Sequence, residues 1–404
     1  MSIFLFLTKI IQRIDIMNYH VFIVDYTTFK YHLEYMFAGT GAGDKKVPFL
    51  YDSTENQTHS NTEINLVGMI ADVSRIRIGD KIIFYLQYSG KNKGMFFGVF
   101  KAASRAFFDE NDNDNYLKSN LNKSLTFRIR IAPDKVYSKG ISEYCCLDSL
   151  EGIEHPYEMC WSLIYRKLKG NRGCTMITEY EFNKIVEKLD CENNGEHFGN
   201  DIHKFTSEFN GSACNINSMK GKAEYSGRKD SLCIKDRLLF KADNGNSFEV
   251  HLQALIMQCF DSEPLKSLLL PMPEEQCWIG NEVSCGVGMQ RIDILIKQEK
   301  DNEVYLKIIE LKSVKPKEYI LEWQIPRYVQ WISDYVVPNY TMDGKKVNII
   351  PCIIALDTDN QDFLDKCRQF RFNGITNNIF NLMPLEYIAV EIIDNNVNFI
   401  KRLP

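Results

Sequence analysis

The feature that most constrains this fold is an ordered series of patterns between about residues 245 and 360. SFEVHLQALIMQCF (247–260) places Val250, Leu252, Leu255, Ile256 and Cys259 near helical spacing. EVSCGV, RIDILIK and VYLKIIELK then read as three strands, and the turn-rich KQEKDNE before the last suits a hairpin loop. PKEYILEWQIPRYVQWISDYVV reads as an amphipathic helix, and VNIIPCIIALD as a fully apolar fourth strand. The order is α-β-β-β-α-β, which calls for a central mixed sheet covered by helices.

Charges interrupt these strands at particular places. Side chains alternate along a strand, so Glu310 and Lys312 face one way while Ile309 and Leu311 face the other. Asp293 sits between Ile292 and Ile294, and an antiparallel hairpin would bring it beside Glu310. An exposed Glu–Lys pair decorating a hairpin end would explain the ELK triplet alone. Two acids sharing a buried cleft, however, need a cation to offset their repulsion and desolvation. Hard oxygen ligands suit Mg²⁺, with Mn²⁺ as substitute, and the waters that Mg²⁺ retains supply a nucleophile. On this reading Glu310 holds metal and Lys312 orients or helps deprotonate the attacking water.

Residues 17 to about 145 are expected to form a small curved β domain from YHVFIVDY, NLVGMIADV, DKIIFYLQ, GMFFGVFKAAS and LTFRIRIAPDKVY. YTTFKYHLEYMF fits a helix capped by Thr27 or Thr28, and YDSTENQTHSNTE a long exposed loop. Arg166, Lys167, Lys169 and Arg172 form a basic run, either a solvated face or a set of phosphate contacts, and a helix is expected to begin near Thr178. Polar, Gly/Asn-rich residues 191–243 read as a linker, with or without a short helix. The domain layout is therefore an upstream extension at 1–16, with Met17 as an alternative start, a β domain with a basic helical extension at 17–190, the linker, and a second domain at 244–404.

The back half resembles the PD-(D/E)XK nuclease superfamily, whose restriction-endonuclease-like core has the same element order. Asp293 stands at the position of the acid in the second strand, and Glu310-Leu311-Lys312 matches the E-x-K triplet of the third. Ile292 replaces the proline of the family name. The resemblance implies metal ligation by Asp293, Glu310 and the Leu311 backbone carbonyl, with Glu249 or Glu282 as a further acid. EWQIPRYVQW is similar to the Q-x-x-x-Y element of several branches and implies that Gln324 and Tyr328 lie beside the metal. The front half resembles the PUA-like group, which includes EVE and YTH domains, through Asp80, Tyr85, Gly94 and Gly98. Members of that group bind nucleic acid, several of them by flipping a base into an aromatic pocket, for which Tyr85 and Phe97 are candidates here, although both also suit a barrel core.

Together these resemblances imply an α+β multidomain protein with a PUA-like β-barrel ahead of the nuclease core. The expected function is a Mg²⁺-dependent DNA endonuclease of restriction type acting on double-stranded DNA as a homodimer, with a cognate DNA methyltransferase as a further partner. A repair nuclease for mismatched or branched DNA, and a non-catalytic nucleic-acid reader, are the alternatives.

Composition is compatible with this: 404 residues with 45% hydrophobic and 25% charged content make ordinary globular chemistry for two or three domains. The net charge of −5 neither demands nor forbids a polyanionic partner, since local patches set the field it meets. Twelve cysteines without a CxxC pair suggest reduced thiols in a cytoplasmic protein rather than a zinc site. The apolar start is too short to span a membrane and lacks a basic leader.

Overall fold

The computed structural model of the chain describes residues 18–41, 47–87, 94–109, 117–147, 153–154, 173–210, 213–221, 224–227, 229–285 and 290–404. Two sheets organise them into an α+β architecture, a curled half-barrel in front and a mixed sheet behind.

The front sheet is built from β1(Tyr19–Val24), β2(Phe37–Thr40), β3(Lys81–Leu86), β4(Met95–Ala102), β5(Phe107–Phe108), β6(Phe127–Pro133), β7(Ile141–Ser142) and β8(Cys174–Ile177). Its order is β2-β6-β4-β3-β1-β8, with β5 on β6 and β7 on β4. The helix Tyr26–Glu34 starts one residue before the expected caps: Asp25 accepts from the Thr28 backbone, and Thr28 returns a bond in a capping box. Thr178 caps the helix Glu179–Glu192 as expected, paired with Glu181.

NLVGMIADV is not a strand. It lies in the helix Ser60–Ser74, in which Leu66 through Ser74 are all buried. A helix covered on every side leaves a continuous apolar run in the sequence, and periodicity then cannot separate it from a buried strand.

The supposed linker is also structured. It contains the hairpin β9(Phe205–Asn210) and β10(Ala213–Ser218) and the helix Lys235–Asp243. Phe205 and Ile216 enter the front core while Glu208 and Ala213 stay exposed, so a two-stranded ribbon with one polar face reads as loop by composition.

The back sheet has the order β11(Cys277–Ser284), β12(Arg291–Lys300), β13(Glu303–Leu311), β14(Lys346–Leu356), β16(Glu386–Ile393), β17(Asn396–Leu403), with β15(Asn381–Leu382) on β14. β12 pairs antiparallel with both β11 and β13, while β13 and β14 run parallel. The helix Glu249–Cys259 packs Leu252, Leu255 and Ile256 into the cluster that holds Ile294, Ile296, Ile309 and Leu311. The helix Ile325–Tyr335 packs Ile325, Val329 and Ile332 into the cluster that holds Leu295, Ile308 and Ile353. Apart from one-turn helices, the expected α-β-β-β-α-β order is present, and β15 to β17 extend it.

The halves meet across a buried polar seam. The edge strand β11 receives its partners from the front half: Asn18 Oδ1 accepts from Ile279 N at 2.9 Å, and Trp278 Nε1 donates to the Ile177 carbonyl at 3.0 Å. Asp72 accepts from Arg75 at 3.0 Å and from Asn281 Nδ2 at 2.9 Å, and Arg75 also donates to Asn281. An edge strand would otherwise expose unpaired amides, so this seam both caps the sheet and fixes the halves relative to each other.

Among the described residues no disulfide links the cysteines, of which Cys145, Cys191 and Cys233 are exposed rather than in the core. No described helix is long and apolar enough to cross a membrane.

Candidate active site

The β12–β13 ladder stops at Ile294↔Ile309, while β11–β12 pairing runs on to Ser284↔Arg291 and β13–β14 pairing to Leu311↔Ile354. The two central strands therefore splay at this end, and the next position in register sets Asp293 opposite Glu310. Asp293 Oδ2 accepts from Leu311 N at 2.7 Å, a side-chain oxygen standing in for a ladder carbonyl.

Glu310 is 1% exposed, and its bonds converge from three directions. Oε1 accepts from Lys312 Nζ at 2.5 Å and from Gln324 Nε2 at 2.7 Å, and Oε2 accepts from Tyr328 OH at 3.1 Å. Gln324 and Tyr328 are four residues apart, where a π turn over Ile320–Gln324 passes into the α-helix, and this places both over the same carboxylate. Lys312 also donates to the Leu311 carbonyl at 2.8 Å and lies 3.6 Å from Glu249. Glu249, in the opening turn of the helix Glu249–Cys259, is thereby brought to this cluster through Lys312.

Burial and the repulsion of Glu310 push the Asp293 carboxyl well above the ordinary aspartate range. Burial also raises Glu249, against the pull of Lys312. Burial alone would lower the Lys312 ammonium, but Glu310, Glu249 and Asp293 together raise it, so it stays protonated. The Tyr328 hydroxyl is raised by burial and by the two acids, and the Cys285 thiol is pushed up to about 12 by the same causes.

Glu282 is paired with a cation of its own strand pair. It lies opposite Asp293 in register with a left-handed φ of 52°, and its carboxylate accepts from Arg291 at 2.6 Å. Gln253 spans the two, donating Nε2 to the Asp293 carbonyl at 3.0 Å and to Glu282 at 3.4 Å. Sequence reasoning missed Gln253 and Arg291. The signal for Gln253 was its i+4 spacing from Glu249 on a helix already assigned to the site.

Among the described residues no three acid, histidine or cysteine side chains stand together in a metal-holding arrangement. The chemistry of the donors nevertheless fits a hard divalent cation. Two carboxylates and the Leu311 carbonyl present oxygen, and the positive charge now on Glu310 and Leu311 O is the Lys312 ammonium.

The structure corrects the base-pocket expectation. Tyr85 and Phe97 are both fully buried, Tyr85 donating to Glu143 at 2.6 Å and Phe97 packing on Phe29, because adjacent inward positions of β3 and β4 supply the core on both faces of the sheet. A Cβ on Gly94 would collide with the Tyr85 hydroxyl and the Glu143 carboxylate, which explains a glycine there. Arg166, Lys167, Lys169 and Arg172 lie outside the described residues.

The sequence matches no protein-family model and no curated protein. Among solved structures the chain is similar to a hypothetical protein from Leishmania major at 9% identity, covering 45% of this chain and 99% of that one, with a TM-score of 0.27. It is similar to a protein from Pseudomonas syringae at 14% identity, covering 42% and 99%, with a TM-score of 0.25. It is also similar to human THYN1, solved in complex with 5-methylcytosine-containing DNA, at 7% identity, covering 43% and 98%, with a TM-score of 0.26.

Proposed function

We propose that this chain is a divalent-cation-dependent DNA endonuclease of restriction type, with a PUA-like front half that selects the site and a restriction-endonuclease-like back half that cuts it. The observation that carries the proposal is the meeting of Asp293, Glu310, Lys312, Gln324, Tyr328 and Glu249 at the splayed end of β12 and β13.

Asp293, Glu310 and the Leu311 carbonyl would hold the cation, which supplies charge stabilisation for a phosphodiester and an activated water. Gln324 and Tyr328 fix the Glu310 rotamer, each donating to a different carboxylate oxygen. Lys312, kept charged by its acids, serves as a donor to the attacking water or the phosphate rather than as the base that deprotonates it. A buried acid whose charge is opposed by a second acid is a cost in stability, and it is retained where chemistry needs it.

Two copies would be needed for concerted cutting of both strands, since one such site hydrolyses one bond at a time, so the reading includes a homodimer on double-stranded DNA. A cognate methyltransferase would protect the same sites. The test is incubation of the full chain with supercoiled plasmid and with methylated and unmethylated genomic DNA, in Mg²⁺, Mn²⁺ or EDTA. Discrete fragments that depend on the cation support the reading. Cutting confined to mismatched or branched DNA would favour the repair alternative, and DNA binding without cutting in any cation would leave a non-catalytic reader.

A further inference from the structure

The segment after the ELK triplet carries a surface that the site itself does not use. Tyr319 and Trp323 are 55% and 53% exposed, and they lie four residues apart on one helical segment. Arg327 follows at the same spacing, is exposed, and sets its guanidinium 5.7 Å from the centre of the Trp323 ring. These three positions lie one residue behind Ile320, Gln324 and Tyr328. The helix therefore turns one face into Glu310 and shows the adjacent stripe to solvent.

Charge on the segment favours an anion. Lys317 and Arg327 are exposed and form no ion pair among the described residues, Lys315 is shared with Asp359 at 2.9 Å, and Glu318 is matched by Lys366 at 2.7 Å. Glu322 is the opposing exposed acid. From Tyr319 to Arg327 the helix rises about 12 Å, close to the length of three or four nucleotides of a stacked strand.

We propose that the Tyr319–Trp323–Arg327 stripe is a nucleotide platform: it stacks an unpaired base of the substrate strand next to the cleavage point, while Lys317 and Arg327 hold the flanking phosphates. A ring face offers nothing to a fully stacked duplex but pairs well with a base that has left the stack. The ligand's identity as DNA rests on the nuclease reading, and the stripe makes that reading more specific, because it predicts a strand opened or distorted beside Glu310.

The test uses the full chain in EDTA with a fluorescein-labelled oligothymidylate and a blunt duplex of equal length, read by fluorescence anisotropy, together with plasmid nicking in Mg²⁺ or Mn²⁺. Wild type is expected to bind the single strand more tightly than the duplex. Trp323→Ala is expected to weaken single-strand binding by about tenfold or more, and Trp323→Phe to restore most of it. Arg327→Ala is expected to reduce the salt slope by about 0.7, the share of one neutralised phosphate on a single strand. Because these side chains are exposed, circular dichroism should be unchanged in each variant. Single-strand binding by Trp323→Ala equal to wild type overturns the platform, and persistent nicking in that case leaves the nuclease reading standing. Loss of binding in Trp323→Ala, where the wild type nicks plasmid in neither Mg²⁺ nor Mn²⁺, supports the platform and removes the nuclease reading.

Discussion

Glu63 and Asp293 are both carboxylates set into the packed part of the molecule, and they are treated in opposite ways. Glu63, on the helix Ser60–Ser74, accepts from Arg237 at 2.7 and 2.8 Å, from His251 at 2.9 Å and from Lys241 at 2.8 Å. Burial alone would raise its carboxyl, but these donors overcome that and hold it far below the usual glutamate range. Asp293 receives one backbone amide and faces Glu310, so its carboxyl is driven upward. The difference lies in the partners: Glu63, neutralised by the fold, joins elements together, whereas Asp293, left against another acid, is the one that on the proposed reading would take a cation from outside. Through His251, Glu63 also ties the front half to the helix Glu249–Cys259.

The largest expected effect breaks the chemical side of this contrast. Asp293→Ala or Glu310→Ala should lower cation-dependent DNA cleavage by about 10³-fold or more, the equivalent of several kcal/mol of lost charge stabilisation. The melting temperature in EDTA should hold or rise for Asp293→Ala, which relieves the repulsion, and fall for Glu310→Ala, which strands Lys312, Gln324 and Tyr328. Residual cutting at a few per cent of wild type in both pure variants would end the assignment of these acids.

Glu63→Ala should do the reverse. It strands Arg237 in a buried site, and denaturant unfolding should register a loss of about 3–5 kcal/mol. An unchanged unfolding midpoint would mean that the network is solvated and contributes little.

A smaller effect sharpens the comparison through pH. The folded-state carboxyl of Asp293 is raised, so the native state takes up its proton before the unfolded chain does, and the cost of its charge is felt fully only above that raised value. Asp293→Asn should therefore raise the metal-free melting temperature at neutral pH, with the advantage shrinking on acidification and gone below the ordinary value of 3.8. The depressed Glu63 gives the opposite sign: its stabilisation is present above 4.5 and is lost as pH falls towards its folded-state value. A melting curve series from neutral to acid pH on wild type and Asp293→Asn checks the sign.

The smallest effect concerns the basic run. Replacing Arg166, Lys167, Lys169 and Arg172 by alanine should weaken DNA binding without altering base preference, and should reduce the salt slope by close to one for each phosphate that the protein no longer neutralises. A mobility-shift series at several salt concentrations that shows no change of slope would make the run a solvated face.

Much of the back half was legible because the elements that matter there announce themselves locally. Asp293 and Glu310 each interrupt an apolar strand, and the short turn between β12 and β13 fixes the register that brings them opposite. Gln324 and Tyr328 could be placed on one helical face from their spacing alone. The front half was harder to read. NLVGMIADV hides a helix because every side of it is covered, and the ribbon at β9 and β10 hides behind polar residues. Tyr85 and Phe97 have the composition of a binding pocket, but full burial in the core decides otherwise.

By itself the sequence determined the element order of the back half and which charges interrupt its strands, since alternation, helical spacing and turn chemistry act over a few residues. Only the tertiary structure decided which buried acids were neutralised. Glu63 meets two of its donors across separations of 174 and 188 residues, in Arg237 and His251, and the cap on β11 comes from Asn18 at a separation of 261. Such long-range meetings depend on how whole elements pack, and the fate of a buried charge follows from the partners that packing delivers.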